Sequence, residues 1–204
     1  MKTYNKYIWL LICGTLFFNS CSEDFLEVQP VGTALEDNYY KTPQEALNGI
    51  IAAYDPLGTE CGATYSNKLG PLNSASDDCY AGGGSSSDVP AWQVWNTFTL
   101  DAANGIQGDF WKRNFTGVYR SNLILTKLEG AGLDPATLAR YTAEAKFLRA
   151  FYYFDLVRLF RNVPLFTTPV SDEGMYDVLQ AQPEDGYAQM EKELHEDIAD
   201  LAVA

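Results

Sequence analysis

The sequence of 204 residues holds a single histidine, His195, and only 14 lysines and arginines against 27 aspartates and glutamates. One imidazole with no cysteine or second histidine near it does not assemble a zinc site of the usual kind. His195, four residues after Glu191, therefore reads as a surface side chain. The shortage of cations leaves a net charge of −13, which repels nucleic acid and anionic headgroups and excludes both as electrostatic partners. There is no GxSxG elbow, hence no hydrolase of that design. The run GGGSSS at 82–87 lacks the lysine and the glycine spacing of a phosphate cradle and reads as a flexible surface loop. Asp77 and Asp78 lack the dense oxygen spacing of a calcium loop, and adjacent acids do not face each other across a cleft as glycoside hydrolysis requires. The pattern implies no metal, no cofactor and no enzyme.

What is present begins with an export signal. Lys2 and Lys6 form a basic start, Tyr7 to Phe18 an apolar run too short for the roughly 20 residues of a spanning helix, and Asn19-Ser20-Cys21 a small, polar exit. Cleavage before Cys21 is expected, and a thiol opening an exported chain resembles the lipobox of bacterial lipoproteins. Acylation with more than one chain anchors durably where a single chain does not. Removal of residues 1–20 leaves 12 basic residues against 27 acidic ones, a net charge of −15. Of the remaining cysteines, Cys61 and Cys79 are free to pair in an oxidising compartment. A bridge would contribute on the order of 3 kcal/mol, and two unbridged thiols are the other reading.

The domain reading is a signal at 1–20, an acylated tether and lead-in at 21–41, and a helical domain at 42–204. Thr42-Pro43-Gln44-Glu45 is a capping box with proline at the first helical position. Ala46, Leu47, Ile50, Ile51 and Tyr54 follow on one face, and Pro56 with Gly58 is expected to end the helix. Little regular structure is expected over 58–108. There Trp92 and Trp95 either form a platform for the apolar face of a sugar or plug a seam against the helices.

From Gly108 the helical period returns through Trp111, Phe115, Val118, Tyr119, Asn122, Leu125 and Leu128, with Trp111 expected in the core. Gly130 and Gly132 end that helix, and Asp134-Pro135 starts the next. It carries one stripe of Leu138, Tyr141, Ala145, Leu148, Tyr152 and Leu156 and a second of Ala143, Phe147, Ala150 and Phe154. So wide an apolar arc needs cover on more than one side. After an extended Asn162–Thr168 segment, a last helix starts near Pro183, its stripe Tyr187, Met190, Leu194, Ile198 and Leu201. Its acidic side faces solvent or a basic partner. The fold class is all-α.

Four stretches, CSEDFLEVQP (21–30), SASDDCYAGGG (74–84), FWKRNFTGVYRSNLIL (110–125) and AEAKFLRAFYYFDLVRLFRNVPLFTTPVS (143–171), together resemble the SusD-like (RagB/SusD) nutrient-binding lipoproteins of Bacteroidetes. The resemblance implies a tetratricopeptide-like helical scaffold, of which this chain is an N-terminal portion. It also implies a surface-exposed, lipid-anchored outer-membrane protein. Such a protein captures oligosaccharides, or peptides in some branches, and hands them uncleaved to a SusC-like TonB-dependent transporter. Cys21 would carry the lipid, and Glu144 and Arg149 would tie the long helix to its neighbours. Arg161 stands where the family usually has glycine. No motif of the family fixes the ligand contacts, so Trp92 and Trp95 rest on their chemistry alone.

Overall fold

The computed structural model describes residues 39–62, 68–85, 87–103, 105–170 and 174–201, with the side chains of 59–62 and 197–199 outside the description. The signal segment, Cys21 and the lead-in as far as residue 38 also lie outside it. The compact unit Asn38–Ala204 is built from helices. In chain order these are α1 (Pro43–Gly62), α2 (Leu69–Ser74), α3 (Pro90–Asn96), α4 (Gln107–Lys127), a 3-10 turn at Leu128–Ala131, α5 (Pro135–Phe160) and α6 (Pro183–Leu201). The only strands among the described residues are β1 (Val163–Pro164) and β2 (Gln180–Ala181), an antiparallel pair with Val163 opposite Ala181. The all-α expectation holds. Among the described residues no helix is long and apolar enough to cross a membrane.

Local chemistry sets the helix starts. Glu45 accepts the backbone N–H groups of Lys41 (2.8 Å) and Thr42 (3.0 Å), while the Thr42 hydroxyl accepts the N–H of Glu45 (3.3 Å), closing the reciprocal box on α1. The Lys41 N–H in particular holds the Glu45 carboxyl below its usual range. Asp134 caps α5 by accepting from Ala136 and Thr137 at 3.1 and 3.0 Å, ahead of Pro135 at the first helical position. At its other end α5 stops on Arg161, whose φ of 63° lies in the left-handed region that glycine adopts without cost.

One boundary differs from expectation. Pro56 does not end α1, which continues to Gly62. A proline inside a helix orphans the carbonyl four residues back, here that of Ala52, and the Arg120 guanidinium of α4 donates to it at 2.9 Å. The next carbonyl, that of Ala53, accepts the Tyr152 hydroxyl of α5 at 2.6 Å. Two helices distant in sequence thus supply donors just where the proline falls, and the helix survives it.

Two clusters form the core along α5. Ala46, Ile50, Ile124, Leu128, Ala131, Tyr141 and Ala145 close the end where α1 starts and α4 finishes. Val118, Leu148, Tyr152, Tyr153, Leu156, Val157, Val163 and Met190 close the other, reaching β1 and α6. Leu148 and Leu156 are fully buried, each worth about 1.5–3 kcal/mol relative to exposure. Burial pushes the Tyr152 and Tyr153 hydroxyls above the ordinary phenol range, so both remain protonated donors.

Candidate functional site

The segment expected to be irregular contains two short helices, and both candidate tryptophans lie on the second. Pro90 opens α3 after Val89, which is held at a φ of 46°, and Gln93 Nε2 donates back to the Asp88 carbonyl at 2.5 Å. Helical order there escaped the sequence reading because α3 lasts seven residues, too few for a period to show. Its stability comes from contact with α2 rather than from propensity.

Trp92 and Trp95 are both half-buried. The Trp92 ring lies against Gly70 of α2 so closely that no Cβ fits between them, which is why a glycine stands there. Trp95 meets Phe110 of α4 edge-on, centroids 6.1 Å apart. Trp92 thus closes the contact between α2 and α3 and Trp95 the seam between α3 and α4, and both side chains stay part-exposed. The Trp95 indole N–H is buried with no hydrogen-bond partner among the described residues, a deficit of about 1–3 kcal/mol.

Asn96 organises the open end of this layer. Its side-chain amide donates to the Ser74 carbonyl (3.0 Å) and its oxygen accepts from Ala81 N–H (3.4 Å), drawing the 74–81 loop onto the end of α3. Tyr80 and Phe98, 83% and 77% exposed, adjoin these anchor points in the chain. Exposed Asp77 and Asp78 lie on the same loop, and exposed Asn73 in the last turn of α2. Aromatic surface with nearby polar groups is what a sugar needs, an apolar ring face to stack on and hydroxyls to orient. The glycine-serine run folds onto Asp88: Gly84 N–H donates to its carboxylate at 3.3 Å, and a Cβ at Gly83 would overlap that carboxylate. An anion already occupies the place a phosphate would take.

Cys79 is exposed with a free thiol, and the Cys61 side chain lies outside the described residues. His195 is exposed, and no cluster of three or more metal-ligating side chains occurs among the described residues.

A second concavity, about 260 Å³, runs between α4 and the 164–170 segment and is lined by Trp111, Phe115, Tyr119, Phe166 and Met175 among others. Trp111, expected in the core, is half-buried and forms one wall, edge-on to Phe160 at 5.1 Å. The opposite wall is a strap fixed by buried side chains. Asn122 donates to the Phe166 and Thr168 carbonyls (2.9 and 3.2 Å), Tyr153 exchanges two hydrogen bonds with the Phe166 backbone, and Arg149 donates to the Thr167 carbonyl (2.9 Å). The Asn122 oxygen accepts from Arg149 (2.6 Å), so the groove's buried amide is engaged and the lining is mainly apolar. A sugar's hydroxyls would find little to pair with there. A third cleft, between α1 and α4, is lined by charges of both signs, with Arg120 committed to Asp55 at 2.6 Å.

Comparison with known proteins bears on this arrangement. A SusD-like family model, described as starch-binding associating with outer membrane, matches residues 24–202. SusD-like protein P38 of Formosa agariphila is 31% identical over 161 residues, 79% of this chain and 30% of its own. SusD-like protein P2 of the same organism is 29% identical over 184 residues, 90% of this chain and 35% of its own. Among solved structures, a laminarin-binding SusD-like protein superposes with a TM-score of 0.73 and 40% identity over 79% of this chain and 34% of its own. Surface glycan-binding protein A from Bacteroides thetaiotaomicron, solved in complex with laminarihexaose, gives 0.64 and 28% over 78% of this chain and 32% of its own. The chain spans about a third of the length of these proteins.

Proposed function

We propose, from the premise that this chain belongs to the SusD-like family, that it binds oligosaccharides at the cell surface without cleaving them and delivers them to a SusC-like TonB-dependent transporter. The observation that carries this reading is the aromatic end of the α2–α3 layer. There Trp92 and Trp95 keep part of their side chains open, and the exposed Tyr80 and Phe98 adjoin the segments that Asn96 ties together. Stacking holds the sugar ring, while the side chains of residues 73–78 orient its hydroxyls. Laminarin oligosaccharides are the first ligands to test, because two of the similar structures are described by their binding of laminarin or laminarihexaose.

Titration of the chain from Ser22 onward with laminarihexaose in a calorimeter should give micromolar-to-millimolar binding, and prolonged incubation should release no reducing ends. Trp95→Ala and Trp92→Ala should each weaken binding roughly tenfold, equivalent to 1.4 kcal/mol. A flat titration across soluble oligosaccharides, binding of peptides instead, or new reducing ends would each defeat the proposal.

The anchor belongs to the same reading. Acyl chains on Cys21 would hold this acidic protein at an outer membrane whose headgroups its charge does not favour. Cys21→Ser in the full chain should move the product out of the membrane fraction, and its retention there after a carbonate wash would show that attachment does not depend on this thiol.

A further inference from the structure

Four described residues other than glycine lie in the left-handed region, and two of them bracket the helix that carries both candidate tryptophans. Val89, at φ 46° and ψ 58°, stands immediately before α3. Glycine and asparagine visit this region readily, whereas a β-branched side chain there crowds the neighbouring carbonyl. Phe98, at φ 55°, follows the other end of the helix. Its N–H donates to the Trp95 carbonyl (3.3 Å) and the Thr99 N–H to the Val94 carbonyl (2.9 Å), the two bonds of a Schellman motif. Phe98 thus fills the place in that motif that glycine usually takes, and its largely exposed side chain gains little packing in return.

Strain of this kind persists only where contacts impose it, and those on α3 are few. None of its seven residues is buried. Trp92 leans on Gly70, Trp95 on Phe110, and Asn96 on the Ser74 carbonyl and the Ala81 N–H. Gln93 Nε2, donating to the Asp88 carbonyl at 2.5 Å, spans Val89 and fixes its backbone. A helix this short does not hold by propensity, and its seating leaves the Trp95 indole N–H without a hydrogen bond among the described residues. Release of α3 returns both end residues to ordinary backbone conformations and gives that N–H to water. Three costs therefore oppose one small set of contacts, which is how an element with a low local opening free energy is built.

We infer that α3 is a hinged clamp: it opens and closes as one unit about Val89 and Phe98, and an oligosaccharide held by Trp92 and Trp95 binds only while it is closed. The clamping of a sugar rests on the proposed function; the hinge itself does not.

Amide hydrogen exchange of the chain, resolved residue by residue by NMR, tests both halves. Without ligand, the N–H groups of Trp92, Gln93, Thr97, Phe98 and Thr99, all bonded within α3 and its ends, should share one protection, about a hundredfold or more below that of the middle of α4 and α5. Val89→Gly should raise that protection about fivefold. The left-handed penalty is worth about fivefold to thirtyfold, and the freedom of glycine in the open state takes part of it back. Gln93→Ala, which cuts the bond across the hinge, should lower it about fivefold. Laminarihexaose at about ten times its dissociation constant should raise it about tenfold, by mass action on the closed state. Protection of α3 equal to that of α4, or no gain in Val89→Gly, would overturn the hinge. Binding that leaves α3 exchange unaltered would overturn the clamp. A flat glycan titration defeats the oligosaccharide reading and the clamp with it, whereas the ligand-free rates still decide the hinge.

Discussion

Replacing Arg149 by methionine will destabilise the fold by about 3–5 kcal/mol, the usual cost of removing one partner of a buried ion pair. Its guanidinium is bidentate to Glu193, Nε to one oxygen at 3.2 Å and Nη2 to the other at 2.5 Å, with the two side chains only 7% and 3% exposed. Methionine follows the aliphatic stem closely enough that little volume is lost. The Glu193 carboxylate, however, keeps the Gln189 amide as its remaining donor among the described residues. Asn122 Oδ1 and the Thr167 carbonyl each lose a charged donor as well. Urea unfolding should show a lower midpoint at unchanged slope, and for a unit of this size the melting temperature should fall about 2–4 °C per kcal/mol. Arg149→Met with Glu193→Met should recover most of the loss, because no unpaired charge then remains inside. A loss below about 1 kcal/mol in the single variant would mean that the pair is solvated or dispensable.

Gly117→Ala will destabilise by about 2 kcal/mol, within the range for overpacking a filled core, although alanine is the better helix former by about 1 kcal/mol. A Cβ at Gly117 falls among the ring atoms of Tyr152. That ring is 1% exposed and pinned through its hydroxyl to the Ala53 carbonyl. It cannot step aside without breaking its hydrogen bond to the Ala53 carbonyl of α1, so the steric term wins. Gly58→Ala is the control of opposite sign. Gly58 lies inside α1, exposed, with nothing within 4 Å of an added Cβ, and the substitution should stabilise by about 0.5–1 kcal/mol. Equal effects at the two glycines would show that propensity and not close approach governs Gly117.

The candidate site was partly legible. Trp92 and Trp95 stand out in the sequence because tryptophans beside a glycine-serine run invite a surface reading, and the structure places them on one helix, half-open. Their packing contacts were hidden in sequence because Gly70 and Phe110, which receive the two indoles, come from different elements. The fold of the 74–81 loop was not legible, because it is held by Asn96, whose two hydrogen bonds span 15 and 22 residues. The groove at Trp111 was missed because its other wall is the strap, and a stripe along α4 does not reveal what faces it.

The last helix shows the same division. Its apolar stripe is real, yet the line buried against α5 runs through Gly186, Met190 and Glu193, so Tyr187 and Leu194 are only half-covered. Glu193, one of many acids on a helix read as having a solvated acidic face, is among the most buried charged groups described. Only a cation on another helix, 44 residues earlier, can turn a carboxylate inward.

The sequence by itself determined where α1 and α5 begin, that α4, α5 and α6 are helices, and where α4 and α5 stop, because capping bonds, proline placement and helical period act within about four residues. Tertiary structure decided that α1 survives Pro56, which acid goes inside, how the strap is held and which apolar side chains stay uncovered. Each of those outcomes depends on a donor, a ring or a charge supplied from far along the chain, and their energies exist only once the helices have packed.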